Sequence, residues 1–328
     1  SRHAEHFSEQ LAAKRSSYQR AGERSAFEEL DRESANIRAA WEWAAAARRH
    51  DLLDEMAYML YGYLAARLRR EELTHLLTIG LDSVEAGSLV AARLTTYLAK
   101  HSTPDQPAKA QALLESALTI ARHEESDGDV GMILSALGLA LIYQREFGAA
   151  RRALSEAVPL LEHHDDGRSL GGCLSNLGFA TKEYGTVLSL YDRAITACRR
   201  AGNISDLAKI IYNRAILVAG IFGDYAGGVA GMAEALELEH ENAARTSMLC
   251  HMHSFSALFL IQLGDLDSAR EHHAKARRLV EERQPWEEHK FKLDIDDWVH
   301  GHMLFARGNV AEAVAFLEAI DLPITRDH

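Results

Sequence analysis

The feature that most constrains this chain is an internal repeat of about forty residues. Each copy combines an apolar helical segment, a turn, and a second helical segment in which alanines recur. In one copy Leu137 and Gly138 precede the turn near Arg145, and Phe147 and Ala157 follow it. Corresponding turns fall at positions 145, 185, 223, 264 and 308. Because a single pair of helices cannot bury its apolar faces alone, the copies are expected to stack on one another.

The turns between the paired helices also share a sequence pattern. Glycine is followed by Asp or Asn at 223–224, 264–265 and 308–309. Glycine tolerates the left-handed conformation that ends a helix, and Asp or Asn can cap the helix that follows. The copy around Gly185 differs, since Ala194 follows its turn three residues sooner than the equivalent alanine does elsewhere. The sequence therefore predicts a shortened second helix, or a kink in the helical stack, at that copy.

The repeat length and the small residues at the helix crossings indicate an all-α chain of tetratricopeptide type. We predict antiparallel helical hairpins that stack into a right-handed superhelix, an α-solenoid. Residues 1–100 are predicted to form N-terminal hairpins with helices over 4–30, 34–49, 51–69 and 71–86, and residues 101–328 the repeats proper, continuous with the first part. His101–Pro107, which contains two prolines, is predicted to be a loop between hairpins.

Charge and cysteine content narrow the cellular setting. Lys and Arg number 36 against 48 Asp and Glu, a formal net charge of −12, which argues against direct contact with nucleic acid. Cys173, Cys198 and Cys250 are widely spaced and form no CxxC pair, so we expect them to be reduced and buried. No apolar run approaches the roughly 20 residues of a membrane span. The sequence therefore predicts a cytoplasmic protein that does not bind membranes.

Patterns that carry catalysis or metal binding do not emerge. The 17 histidines include His251/His253 and His272/His273, whereas two metal ligands on one helix need a spacing of three or four. The sequence contains neither a G-x-S-x-G elbow nor a G-x-x-x-x-G-K-[ST] phosphate loop. We therefore predict a chain that is not an enzyme, with no metal site and no cofactor.

A binding surface is predicted on the first helix of each hairpin. In a hairpin stack the first helices line the concave side, and residues three, four and three apart share one face. Counted from the repeat glycines, this face is apolar with a few polar groups, as ligand and peptide grooves are. The residues predicted to contact an effector, either a small molecule or a protein or peptide, are Tyr143, Phe179, Lys182, Asn213, Arg214, His251, Gln262, Trp298 and His302. Ser175 is predicted to lie on the same face.

The segment Glu33–Ala44 reads E-S-A-N-I-R-A-A-W-E-W-A and is followed by helical hairpins. It resembles the start of the tetratricopeptide arm in STAND-type signalling NTPases, the bacterial regulators similar to MalT and AfsR. The residues most specific to this resemblance are Asn36, Arg38, Ala39, Ala40, Trp41 and Trp43. It implies an excised sensor arm for signal transduction and transcription regulation, which binds an effector and controls the NTPase module of the parent chain. A free-standing adaptor that joins two proteins is the alternative.

Overall fold

The computed structural model is all-α in the part of the chain that it describes. That part comprises residues 2–19, 23–67, 69–164, 167–241, 246–281, 295–306, 308–309, 311–313 and 315; for some of them, Trp298 included, only the backbone is described. Its sixteen helices are α1 (Arg2–Gln19), α2 (Glu23–Arg32), α3 (Ser34–Ala46), α4 (His50–Ala66), α5 (Arg70–Ser83), α6 (Leu89–Ser102), α7 (Pro107–His123), α8 (Asp127–Tyr143), α9 (Phe147–His163), α10 (Gly167–Phe179), α11 (Tyr184–Ala201), α12 (Ile204–Phe222), α13 (Tyr225–Glu241), α14 (Thr246–Leu263), α15 (Leu266–Glu281) and α16 (Ile295–Ala306).

These helices belong to two compact units, Ser1–Asp206 and Leu207–His328, which we call the N-terminal unit and the C-terminal unit. The division that the sequence suggests near residue 100, between junction hairpins and repeats proper, stays a prediction. Cys173, Cys198 and Cys250 are free and buried, as expected. None of the helices in the described ranges is long and apolar enough to cross a membrane.

The N-terminal unit contains four successive hairpins, α4–α5, α6–α7, α8–α9 and α10–α11. Their first helices contact one another in chain order, α4 with α6, α6 with α8, and α8 with α10. Each second helix packs on the first helix of its own hairpin, and α7 and α9 also pack on the first helix of the next one. The first helices therefore form one continuous layer, the layer that lines the concave side in a hairpin stack.

Alanine and glycine set how closely the two helices of a hairpin approach. Ala117, Ala157 and Ala194 each stand ten residues after the start of α7, α9 and α11, and all three are at most 1% exposed. Opposite them, a Cβ atom at Gly138 would lie 2.4 Å from the side chain of Leu154. This distance is shorter than any van der Waals contact, so α8 can approach α9 this closely only because position 138 is glycine.

The copy around Gly185 keeps the regular length, and the shortened helix predicted there is wrong. Helix α11 has 18 residues, and Gly185 is its second residue, equivalent to Gly148 in α9. The chain turns earlier, at residues 180–183. Gly185 lies inside a helix and is not the turn itself, which accounts for the apparent three-residue deficit before Ala194.

The glycine turns of the C-terminal unit are confirmed. Their backbones are left-handed, with φ values of 68° at Gly223, 80° at Gly264 and 81° at Gly308. Asp224 Oδ1 accepts a hydrogen bond from the amide of Gly227 at 2.8 Å, and Asp265 Oδ1 accepts one from the amide of Ser268 at 3.1 Å. Each aspartate thus satisfies an amide in the first turn of the next helix, as expected of a cap.

The described helices of the N-terminal 100 residues correspond closely to the predicted ones. Within the segment 4–30 the described helices are α1, to Gln19, and α2, from Glu23, and residues 20–22 lie outside the described residues. The helices predicted over 34–49, 51–69 and 71–86 correspond to α3, α4 and α5 and end up to three residues sooner. The loop predicted at His101–Pro107 is confined to residues 103–106, because α6 continues to Ser102 and α7 begins at Pro107.

Trp41 anchors α3 to the rest of the N-terminal unit. Its side chain is fully buried, and its Nε1 atom donates a hydrogen bond of 2.7 Å to the carbonyl of Leu76 on α5. Gly80 makes room for the indole ring, because a Cβ atom there would lie 2.8 Å from it. The role of Trp41 is therefore packing.

The C-terminal unit, like the N-terminal unit, consists of helices that pack closely on their neighbours. Helix α14 contacts α13, α15 and α16, and α15 contacts α16. Helices α12 and α13 cross at small residues, where a Cβ atom at Gly231 would lie 2.9 Å from that of Ala215. The aromatic pair Tyr212 and Phe255 joins α12 to α14, with ring centroids 5.8 Å apart.

Candidate binding surface

On α8 and α10, the side chains that packing leaves partly exposed follow helical spacing. On α8 the half-buried positions are Met132, Ser135, Leu139 and Ile142. On α10 Asn176 is half-buried and Phe179 is exposed. Spacings of three and four residues place each set on one face of its helix. Since α8 and α10 are first helices, this is the face predicted to line a groove.

Both helices end in a large exposed aromatic residue. Helix α8 ends at Tyr143, which is 50% exposed, and α10 ends at Phe179, which is 62% exposed. The ring of Phe147, at the start of α9, lies 6.1 Å from that of Phe179, centroid to centroid. Tyr184, at the start of α11, is 54% exposed. We call Tyr143, Phe147, Phe179 and Tyr184 the aromatic edge; clustered apolar side chains left in water are typical of interaction sites.

Polar groups flank the aromatic edge. Lys182 is exposed in the link between α10 and α11, so Tyr143, Phe179 and Lys182 all lie where the two helices of a hairpin join, in two adjacent hairpins. Their role in binding stays a prediction. The placement of Ser175 on this face is wrong. Ser175 is 7% exposed and hydrogen-bonds to Tyr191 of α11, whose pKa is raised by burial. The next residue, Asn176, takes the outward position.

A charge network on the first helices of the N-terminal unit was not predicted. Arg93 on α6 contacts Asp54 on α4 at 2.5 Å and holds Asp129 on α8 through two hydrogen bonds of 2.9 Å. The hydroxyl of Ser126 donates a further bond of 2.7 Å to Asp129. The hydrogen bonds to Asp129 and then to Asp54 raise the pKa of Arg93 above its ordinary value. Arg93 therefore ties three consecutive first helices together.

The predicted site residues of the C-terminal unit are only partly accessible. Asn213 and Arg214 on α12 and His251 on α14 are half-buried, and Gln262 near the end of α14 is exposed. Burial lowers the pKa of His251 and that of His302 on α16. The side chain of Trp298 lies outside the described residues. A single groove shared by all nine predicted residues stays a prediction.

Histidines of the C-terminal unit pair between helices. The Nδ1 atoms of His253 on α14 and His272 on α15 lie 3.0 Å apart. His273 on α15 stacks on His300 of α16, with ring centroids 5.8 Å apart. Histidine spacing along a single helix does not predict these pairs, because each pair joins two helices. In the described part of the chain, no group of three or more His, Cys, Asp or Glu side chains is arranged to hold a metal ion.

Comparison with known proteins gives the fold. No protein-family model and no curated protein matches the sequence. A Rap protein crystallised with competence and sporulation factor is similar, with a TM-score of 0.57 and 15% identity over 80% of this chain and 77% of that one. The apo form of RapI has a TM-score of 0.55 and 14% identity, covering 76% and 93% of the two chains. BtubC from P. vanneervenii has a TM-score of 0.53 and 16% identity, covering 69% and 94%. The predicted helical repeat fold is confirmed.

Proposed function

We propose that this chain is a non-catalytic binding module, and that its N-terminal unit holds a peptide or a segment of a partner protein along the first helices and the aromatic edge. The observation that carries the proposal is the exposure of Tyr143, Phe179 and Tyr184, which are 50%, 62% and 54% exposed. Full burial of an exposed side chain of this size contributes about 1.5–3 kcal/mol, and roughly half of that remains to be gained at each of these half-exposed residues. Three such residues at adjacent helix ends therefore provide enough apolar area to anchor a partner.

The openness of this surface favours a peptide or protein over a small molecule. Sites for small molecules are concave and bury roughly 70–90% of the ligand. The aromatic edge instead lies at the turns that join α8 to α9 and α10 to α11, with Lys182 and Glu183 exposed beside it. Aromatic anchors within a polar rim are the usual composition of a protein interface. A Rap protein of similar fold was crystallised with competence and sporulation factor, which is compatible with a binding role for such a fold.

The proposal predicts which substitutions weaken binding. Peptides selected from a random phage-displayed library against the chain should bind the wild type and lose roughly 5- to 100-fold in affinity on Phe179→Ala or Tyr143→Ala, because each change removes an anchor worth about 1–3 kcal/mol. Calorimetry measures the dissociation constants, and circular dichroism checks that the helix content is retained.

Trp43→Ala is the matched control, since Trp43 is an exposed aromatic residue, at 36%, on α3 of the same unit. It should leave the affinity of the selected peptides unchanged. Equal losses in all three variants, or no loss in either aromatic-edge variant, would refute the proposed site.

The more specific proposal is that the module is the sensor arm of a STAND-type regulator, which controls an attached NTPase and transcription. Its support is the resemblance at Glu33–Ala44. Of the residues that carry it, Trp41 is used for packing and Arg38 pairs with Glu72 at 2.6 Å, whereas Trp43 faces outward on α3 and is free to contact another module. A phosphate loop encoded within about 400 residues upstream in the intact gene supports this proposal. Its absence would favour the free-standing adaptor.

A further inference from the structure

Helix α15 is joined to both of its neighbours in the C-terminal unit through histidine rings. His272 contacts His253 on α14, with 3.0 Å between the two Nδ1 atoms and 5.0 Å between the ring centroids. The next residue, His273, stacks on His300 of α16. Adjacent residues on a helix point about 100° apart, so two consecutive histidines can face two different helices. This arrangement places a titratable group at each contact.

The contact between His253 and His272 has room for one proton only. At 3.0 Å, one Nδ1 atom must donate its hydrogen and the other must accept it through a lone pair. If both Nδ1 atoms carried protons, two donors and two positive charges would face each other at this distance. Full protonation of the pair is therefore incompatible with the packed arrangement.

The surroundings of the pair oppose added positive charge. His253 is 7% exposed, and burial first, then the charges of His272, Lys275 and His240, lower its pKa to about 4. Lys275 lies on α15 and His240 on α13. The pKa of His272 is lowered by burial and by Lys275, with Glu271 acting in the opposite direction. Facing groups from α13 and α15 are thus mostly basic.

We propose that the His253–His272 pair is a protonation-sensitive contact, which holds α15 on α14 at neutral pH and loosens in acid. Helices α14 and α16 also carry His251, Gln262 and His302, so a change in this packing reaches the residues predicted to contact an effector. The C-terminal unit would then respond to acidification, whereas the aromatic edge belongs to the other unit.

The sign and size of the effect follow from proton linkage. The pKa of His253 is lower in the folded chain than its unfolded value of about 6.5. The stabilisation is therefore complete above about pH 6.5 and is lost as pH falls toward 4. For one group with these two pKa values, the equilibrium constant for opening rises about 20-fold between pH 7 and pH 5.

Hydrogen exchange of the whole chain tests this proposal. Amides of α14 and α15, corrected for the intrinsic effect of pH, should exchange about 20-fold faster at pH 5 than at pH 7. His253→Gln should flatten this dependence, because it removes the ring whose protonation opens the contact, whereas the control His123→Gln, at an 84% exposed histidine of the N-terminal unit, should retain it. EDTA in every sample removes any contribution from bound metal ions. Equal protection at the two pH values, or a full pH response in His253→Gln, overturns the proposal.

A second measurement applies if His253→Gln does not fold. The His253 ring of the wild type can be titrated directly by NMR. Its midpoint should lie below pH 5, and a midpoint near the ordinary value of about 6.5 contradicts the proposal.

Discussion

The two units of this protein share one repeat but join their helices by different polar contacts. In the N-terminal unit, arginine–carboxylate pairs link α3 to α5, α5 to the loop before α7, α7 to α9, and α9 to α11. These pairs are Arg38–Glu72, Arg70–Asp105, Arg122–Glu156 and Arg193–Glu162. In the C-terminal unit, α15 meets α14 and α16 through histidine pairs. Apolar packing of alanine and glycine fixes the hairpins in both units, and it leaves the polar residues between hairpins free to differ.

This difference has a physical consequence. Arginine and carboxylate side chains remain charged from about pH 5 upward, and exposed pairs of them weaken as salt screens the charges. The partly buried His253–His272 contact is little affected by salt but cannot accept a second proton. We therefore expect the N-terminal unit to respond to ionic strength and the C-terminal unit to respond to pH.

The largest expected effect is the loss of Trp41. Trp41→Ala should lower the free energy of unfolding by about 3–5 kcal/mol, because it opens a cavity in the N-terminal core and removes a buried hydrogen bond. Urea denaturation followed by hydrogen exchange locates the loss, which should fall on the N-terminal unit. Trp43→Ala, at a 36% exposed position on the same helix, should cost far less. Equal loss of protection in both units would show that they do not respond separately.

A smaller effect is expected at Arg93. Arg93→Met leaves Asp129, which is 7% exposed, without its cation, at a cost of about 2–4 kcal/mol. The double change Arg93→Met/Asp129→Leu should recover part of that loss, since the buried carboxylate of Asp129 is gone and only the more exposed Asp54 still lacks its arginine. Thermal unfolding of the four members of this cycle measures the coupling. Purely additive costs would mean that Arg93 does not act through Asp129.

The smallest effect is expected from the outer ion pairs. Arg122→Ala and Arg193→Ala should each cost roughly 0.2–1 kcal/mol at low salt, and the cost should vanish near 1 M NaCl. Chemical denaturation at two salt concentrations gives the difference. A cost that persists at high salt would assign these arginines to packing by their aliphatic stems and remove the contrast in salt sensitivity between the units.

Much of the fold follows from local sequence, and little of the polar network does. Spacing alone is sufficient to predict residues that serve a single turn or a single helix crossing. These are the turn glycines at 223 and 264 and the alanines at 157, 194 and 235. Gly185 was misread because a glycine inside a helix looks the same in sequence as one that ends it. The outward position on α10 belongs to Asn176 and not, as the sequence had predicted, to Ser175. A difference of one residue on a helix is a rotation of 100°.

Polar contacts between helices are harder to predict, because they depend on residues far apart in the sequence. Asp54, Arg93 and Asp129 are separated by 39 and 36 residues, close to one repeat, so alignment of the copies could have suggested the network. The histidine pair His253 and His272 joins two helices of one hairpin at 19 residues. Such a contact depends on the relative rotation of both helices, which apolar periodicity fixes only roughly.

The central claim, that the aromatic edge binds a peptide or protein segment, is tested most directly by locating a bound peptide. Hydrogen exchange of the chain, with and without a saturating library-selected peptide, should show added protection at the ends of α8 and α10 and the start of α11, around residues 139–143 and 176–187. Protection confined to α3, or to the C-terminal unit, would contradict the claim.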